Sequence, residues 1–122
     1  MPYKSKFEAR VAKVLPKGTK YEALTINFLQ PEKHRKYRPD FLLPNGTIIE
    51  TKGKWTQEDR QKHVWIKEQH PELKVCLLFM NAFNRIRKGS DTTYADFCEK
   101  NGLEWADFGM GIPKHWTQNA RK

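Results

Sequence analysis

Cysteine is scarce in this 122-residue chain, which contains only Cys76 and Cys98. Two thiols make no disulfide framework, and without a CxxC motif or a Cys/His cluster they indicate no zinc site. Cys76 lies in the apolar run "KVCLLFM" and Cys98 in a helical-looking stretch. We therefore expect both to be core residues of a protein in a reducing compartment.

Long apolar runs are also missing. No segment approaches the length that crosses a membrane, and the N-terminal stretch "MPYKSKFEAR" is not an apolar signal segment. The sequence shows no internal repeat and no low-complexity linker. We expect a single compact domain over residues 1–122, located in the cytoplasm and without a membrane partner.

Acidic residues are few beside basic ones, 14 against 23, which gives a net charge of +9 and a pI near 9.7. Solubility needs no such imbalance, so the excess favours a polyanionic partner, nucleic acid before an anionic membrane surface. Lysine and arginine contacts to phosphates give affinity without sequence preference, and no zinc finger, basic zipper or other base-reading motif is present. The residues that we assign to DNA contacts are Lys33, Arg35, Lys36, Arg38, Lys54, Arg60, Lys62, Lys67, Arg85, Arg87 and Lys88.

The apolar pattern predicts the order α-β-β-β-α-β-α-β, which gives an α/β fold with a mixed sheet flanked by helices. Helices are expected at 6–15, 56–70 and 92–100, and strands at 21–28, 37–43, 47–52, 73–80 and 103–108. The intervening segment "QPEKHRKYRP" is expected to be a basic connection, and the tail beyond residue 113 is left unassigned.

The stretch "YRPDFLLPNGTIIETKGKW" at 37–55 contains the most informative pattern. It reads as two strands joined by the turn signal "PNG", with Asp40 near the start of the first strand and Glu50 near the end of the second. Antiparallel pairing brings those two ends together. Glu50 and Lys52 are two residues apart in a strand, so they project from the same face. The sequence predicts that two acids and a lysine converge.

Two neighbouring carboxylates raise each other's pKa unless a cation lies between them, and Mg²⁺ suits one or two carboxylates together with phosphate oxygens. The backbone carbonyl of Thr51 is a plausible further ligand. Lys52 then orients or deprotonates the attacking water, or holds the scissile phosphate as a point charge. The alternative is an ordinary cross-strand ion pair between Asp40 and Lys52, with Glu50 facing solvent.

The residues "PD" at 39–40 and "ETK" at 50–52 resemble the PD-(D/E)xK nuclease signature. The longer stretch "YRPDFLLPNGTIIETKGKW…DRQKHVWIKEQHPEL", continued by "KGSDTTYADFCEKNG", resembles the phage endonuclease I family of Holliday-junction resolvases. This resemblance spans roughly Tyr37 to Trp116, with a weaker echo in the N-terminal helix. It is far more specific than the short signature.

The resemblance implies a restriction-endonuclease-like core and a homodimer that cleaves branched DNA, in particular four-way junctions, during recombination in the phage's host cell. It implies Mg²⁺ as the cofactor, with Mn²⁺ able to substitute. The implied catalytic residues are Glu8, Asp40, Glu50 and Lys52, and the implied metal ligands are Asp40, Glu50, Glu8 and the Thr51 carbonyl.

The same resemblance implies an intertwined dimer. Residues 1–28 would be exchanged with the partner, 29–38 would form a basic bridge, and 39–122 would form the catalytic core and tail. Glu8 would then serve the partner's site. "SKFE" at 5–8 offers another reading, a capping box in which Glu8 bonds the backbone of Ser5. Two other functions also stay open: a non-catalytic basic nucleic-acid-binding module, and a sequence-specific nuclease of the same superfamily.

Overall fold

The computed structural model describes residues 3–118 of the chain. The helices are α1 (Lys6–Ala12), α2 (Gln57–Gln69), α3 (Tyr94–Asn101) and α4 (Lys114–Thr117). The strands are β1 (Lys20–Tyr21), β2 (Ile26–Gln30), β3 (Lys33–Tyr37), β4 (Phe41–Leu42), β5 (Ile48–Lys52), β6 (Val75–Phe79) and β7 (Glu104–Asp107). A 3₁₀ turn at Phe108–Met110 follows β7.

A five-stranded sheet in the order β1-β4-β5-β6-β7 forms the centre of the fold. β1, β4 and β5 pair antiparallel, whereas β5, β6 and β7 pair parallel. The two parallel connections contain α2 and α3, as parallel strands require long crossovers. The predicted α/β fold with a mixed, helix-flanked sheet is therefore confirmed.

Both faces of the central strands are covered. Cys76 and Leu78 of β6 pack in the same cluster as Val11 of α1, whereas Leu77 and Phe79 pack with residues of α3. This alternation explains the continuous apolar run of β6, because a strand with two covered faces has no polar side.

Local signals place the helix ends. The Thr56 hydroxyl accepts a hydrogen bond from the Asp59 amide and begins α2. α3 begins with a capping box between Thr93 and Asp96, and ends at Gly102, whose φ of +68° lies in the left-handed region that glycine adopts without strain. These ends agree with the predicted helices to within two residues.

The N-terminal third departs from the prediction. The expected strand at 21–28 is divided between β1 and β2. Half of the expected basic connection is strand β3, which pairs with β2 in a separate two-stranded sheet. β3 exposes Lys33 through Lys36 and buries only Tyr37. Because four consecutive side chains of β3 are exposed, this strand lacks the apolar alternation that usually signals a strand.

Three smaller differences concern element ends. β4 has only two residues, α1 ends at Ala12 instead of Leu15, and the unassigned tail contains α4, whose Trp116 is completely buried. Between residues 3 and 118, no helix has the length and apolarity to span a membrane.

Candidate active site

The register of β4 and β5 positions the two acids of the hairpin. Phe41 pairs with Ile49 and Leu42 with Ile48. Continuing this antiparallel register by one residue places Asp40, directly before β4, opposite Glu50. The charge of Glu50 raises the pKa of Asp40, as expected of neighbouring carboxylates. The predicted approach of these two residues is present in the fold.

Asp40 is buried and held by a single neighbour. Its Oδ2 accepts hydrogen bonds from the Thr51 amide at 2.9 Å and from the Thr51 hydroxyl at 2.7 Å. Burial first, and the charge of Glu50 second, raise the pKa of Asp40 to about 7, with a smaller contribution from Glu8. Asp40 is thus held by two hydrogen bonds from Thr51 and repelled by two nearby acids.

Glu50 is also buried, with 6% of its surface exposed. Its Oε1 accepts a hydrogen bond from the Tyr37 hydroxyl at 3.0 Å, and its Oε2 lies 3.4 Å from Nζ of Lys52. Burial raises the pKa of Glu50 although Lys52 and Lys62 act in the opposite direction. Because Tyr37 ends β3, the hairpin of β2 and β3 contributes one hydrogen-bond donor to the site.

Lys52 lies between two carboxylates. Its Nζ is 3.4 Å from Glu50 Oε2 and 3.4 Å from Asp59 Oδ2. Burial opposes its charge, but Glu50 and Asp59 together raise the pKa of Lys52. The side chain is therefore a cation at neutral pH in this arrangement. The alternative of an Asp40–Lys52 pair with Glu50 in solvent is wrong, because Lys52 pairs with a buried Glu50.

Asp59 and Tyr37 were not among the predicted site residues. α2 begins five residues after β5, and its first turn carries Asp59 back to Lys52. The short connection was the available signal for Asp59. Nothing in the sequence pattern indicated Tyr37.

Glu8 is buried on α1, with 8% of its surface exposed. Its Oε1 accepts hydrogen bonds from the Tyr21 hydroxyl at 2.7 Å and from the Lys4 amide at 2.8 Å. The Ser5 hydroxyl accepts from the Glu8 amide, so Ser5 caps α1, but the Glu8 carboxylate bonds the backbone of Lys4 instead of Ser5. The predicted capping box is therefore incomplete. The negative charge of Glu8 also contributes slightly to the raised pKa of Asp40. Within residues 3–118, however, Glu8, Asp40 and Glu50 do not form a group that could hold a metal ion together.

The donor set fits a hard divalent cation at the pair Asp40 and Glu50. Both carboxylates are buried side by side, and within residues 3–118 Oδ1 of Asp40 accepts no hydrogen bond. In the same part of the chain no group of three His, Cys, Asp or Glu side chains is arranged to hold a metal ion. Mg²⁺ needs only one or two carboxylates besides water and phosphate oxygens, so the pair suffices. Thr51 is buried on β5 between Glu50 and Lys52, where its carbonyl remains a predicted ligand.

The predicted DNA-contact residues fall into two groups. The first contains residues on β3, directly after it, and on α2: Lys33, Arg35, Lys36, Arg38, Lys62 and Lys67. The second surrounds the start of α2 and the loop after β6: Lys54, Arg60, Arg85, Arg87 and Lys88, all of which line one cavity. Arg60 differs from the others because it is buried, with 6% of its surface exposed.

Comparison with known proteins finds relatives over most of the chain. A family model described as phage endonuclease I matches residues 1–122. Endonuclease I of Escherichia phage T7 is 43% identical over 123 aligned positions, covering 98% of this chain and 81% of that protein. Endodeoxyribonuclease 1 of Enterobacteria phage T3 is 48% identical over 108 positions, covering 86% of this chain and 71% of that protein.

Proposed function

The chain belongs to the phage endonuclease I family, and from that membership we propose that it is a Mg²⁺-dependent DNA endonuclease that resolves four-way junctions by paired nicks. Relatives named as endonucleases support the nuclease activity. The proposal extends this to metal dependence, to branched DNA, and to action in the cytoplasm of the phage's host. The observation that carries it is the burial of Asp40 and Glu50 side by side with Lys52.

In the proposed mechanism Asp40 and Glu50 would hold Mg²⁺, and the bound ion would supply charge neutralisation at the scissile phosphate and a more acidic water molecule. Thr51 and Tyr37 fix the orientation of the two carboxylates through their hydrogen bonds. Lys52 contributes a fixed positive charge towards the phosphate, since Asp59 holds its ammonium group near Glu50. The raised pKa of Lys52 favours this role over that of a general base.

We also propose that the sheet is a restriction-endonuclease-like core and that two chains form an intertwined dimer, with residues 1–28 exchanged and 29–38 as the bridge. Two active sites in a symmetric dimer give paired cuts on opposing strands. The turn between β2 and β3 supports the exchange, because Glu32 has a φ of +67°, a strained value for a residue other than glycine. Opening this turn would relieve the strain, and the contacts that α1 and β1 make with the sheet of their own chain would be made with the partner's sheet instead.

The proposed activity is tested by incubating the protein with a four-way junction and with a linear duplex of matching sequence, in Mg²⁺ and in EDTA. We expect opposed nicks in the junction, little cutting of the duplex, and no cutting in EDTA. Glu50→Gln should abolish cleavage. The matched control Glu68→Gln, on the exposed face of α2, should leave cleavage unchanged. Equal rates on junction and duplex would remove the resolvase proposal but leave a nuclease.

The exchange of the N-terminal segment has its own test. Glu8→Ala and Lys52→Ala chains are inactive separately if both residues belong to the site. Refolded together, they form heterodimers in which one site is intact only if Glu8 serves the partner's core. Recovery of single nicks supports the exchange, and its absence contradicts it.

A further inference from the structure

Arg60 is a buried cation that lacks an anionic partner in the described part of the chain. One of its guanidinium nitrogens, Nη1, donates to the carbonyls of Trp55 at 2.8 Å and Ile86 at 3.2 Å. Within residues 3–118 no carboxylate lies within 4 Å of this guanidinium. Burial, with the charge of Arg87, lowers the pKa of Arg60. Buried charges in proteins are normally paired, so an arginine buried in this way indicates that a bound anion pairs with its charge.

The space next to Arg60 is strongly basic. A cavity of about 630 Å³ lies between the start of α2 and the loop after β6, and besides Arg60 its charged lining consists of Lys54, Arg85, Arg87 and Lys88. Among the described residues, no acidic side chain lines it. Like charges that converge on a concave surface repel each other and oppose folding, unless an anion is bound there. The cavity is therefore matched to a negatively charged ligand.

The start of α2 adds backbone donors to this cavity. Thr56 and Gln57, the N-cap and first residue of the 13-residue helix α2, line the cavity, and the positive end of a helix dipole favours an anion.

We propose that this cavity binds one backbone phosphate of the DNA, separate from the scissile phosphate. The inference rests on the proposed function, since it takes DNA as the substrate. Neither Asp40 nor Glu50 lines the cavity, but Trp55 follows Lys52 by only three residues. A phosphate held here would fix the position of the DNA strand relative to Lys52, because phosphate contacts position a protein on DNA.

The test measures binding of a fluorescein-labelled four-way junction by anisotropy in EDTA, over a series of salt concentrations. The variants are Arg60→Gln and the double variant Arg87→Ala/Lys88→Ala. Arg87 and Lys88 are exposed, so the double variant should fold even if Arg60→Gln does not. The control is Lys17→Ala/Lys100→Ala, which removes the same charge from exposed positions outside the cavity.

Log affinity falls as log salt concentration rises, and each lost phosphate contact makes this slope shallower by about 0.9. We expect that decrease in the double variant and not in the control. A scan of junctions that each carry one neutral methylphosphonate should then find a position that weakens binding by the wild type but leaves binding by the double variant unchanged.

An unchanged salt slope in the double variant overturns the inference. So does a changed slope without a responsive methylphosphonate position, since the residues then act only through long-range charge. Failure of the proposed function is distinguishable, because cleavage is measured separately in Mg²⁺. If the wild type binds and cuts junctions but the double variant has the same salt slope as the wild type, only the cavity inference is contradicted.

Discussion

Replacing Asp40 by asparagine should stabilise the metal-free protein while it abolishes cleavage. Asparagine is nearly isosteric, and its amide oxygen can accept the hydrogen bonds that the Thr51 amide and hydroxyl donate to Asp40. The change removes a negative charge that is buried beside Glu50. In the folded protein the pKa of Asp40 rises from 3.8 to about 7, chiefly through burial and then through Glu50.

The magnitude follows from proton linkage. A carboxyl group whose pKa is higher in the folded state favours folding at low pH, and this advantage is lost as the pH rises through the folded-state pKa. Each pKa unit corresponds to about 1.4 kcal/mol, so above pH 7 the ionised Asp40 destabilises the fold by at most about 4 kcal/mol. The asparagine amide is itself buried, which leaves an expected gain of about 1–3 kcal/mol at pH 8. At pH 5 the gain should fall to less than about half.

Urea denaturation in EDTA at pH 8 and pH 5 measures both values. Mg²⁺ adds a second readout, because an ion that binds only the folded state raises the stability of the wild type. The Asp40→Asn protein has lost a ligand charge, so it should gain much less stability from Mg²⁺. A variant less stable than the wild type at pH 8, or equal stabilisation of both proteins by Mg²⁺, would refute this account of the acid pair.

Three further predictions address neighbouring residues. Tyr37→Phe removes only the hydroxyl that donates to Glu50, and should weaken binding of Mn²⁺, measured by electron paramagnetic resonance, by about 10-fold or more; unchanged affinity contradicts a role in orienting the carboxylate. Lys52→Ala should slow junction cleavage by about 100-fold or more while Mg²⁺ still stabilises the protein, and loss of both effects would place Lys52 in metal binding instead. Burial lowers the pKa of His63 to about 3, so the wild type should lose about 2 kcal/mol of stability between pH 7 and pH 5 from this residue. His63→Phe should lack that loss in urea denaturation, and an identical pH dependence in both proteins would be the contrary result.

The parts of the site that were predictable from sequence depend on local geometry. Antiparallel register and the two-residue period of a strand are fixed within the hairpin, so the approach of Asp40, Glu50 and Lys52 required no knowledge of the remaining fold. The contacts of Tyr37 and Asp59 depend instead on how β3 and α2 pack against β5. No sequence period encodes such packing.

Charged residues were the main source of error. Arg60 lies in a polar helix and reads as one exposed basic residue among many, yet it is buried. The strand β3 was assigned as a connection because four of its five residues are exposed and polar. In both cases the sequence shows that a residue is charged but not which groups surround it in the fold. Those groups decide whether a charged side chain is buried or exposed.

The hydrogen bonds of the three acids show why this site is suited to a cation. Each acid accepts a hydrogen bond from one hydroxyl group: Glu8 from Tyr21, Asp40 from Thr51 and Glu50 from Tyr37. A hydroxyl satisfies a buried oxygen and orients it, but leaves its negative charge uncompensated. A protein under selection for stability alone gains more from arginine partners or apolar replacements. Of these three acids, only Glu50 has a cation within 4 Å among the described residues. That cation is Lys52, which also pairs with Asp59. The remaining negative charge is unfavourable in the metal-free protein and would be favourable with the proposed divalent ion bound, so neutralising Asp40 should raise stability and remove activity together.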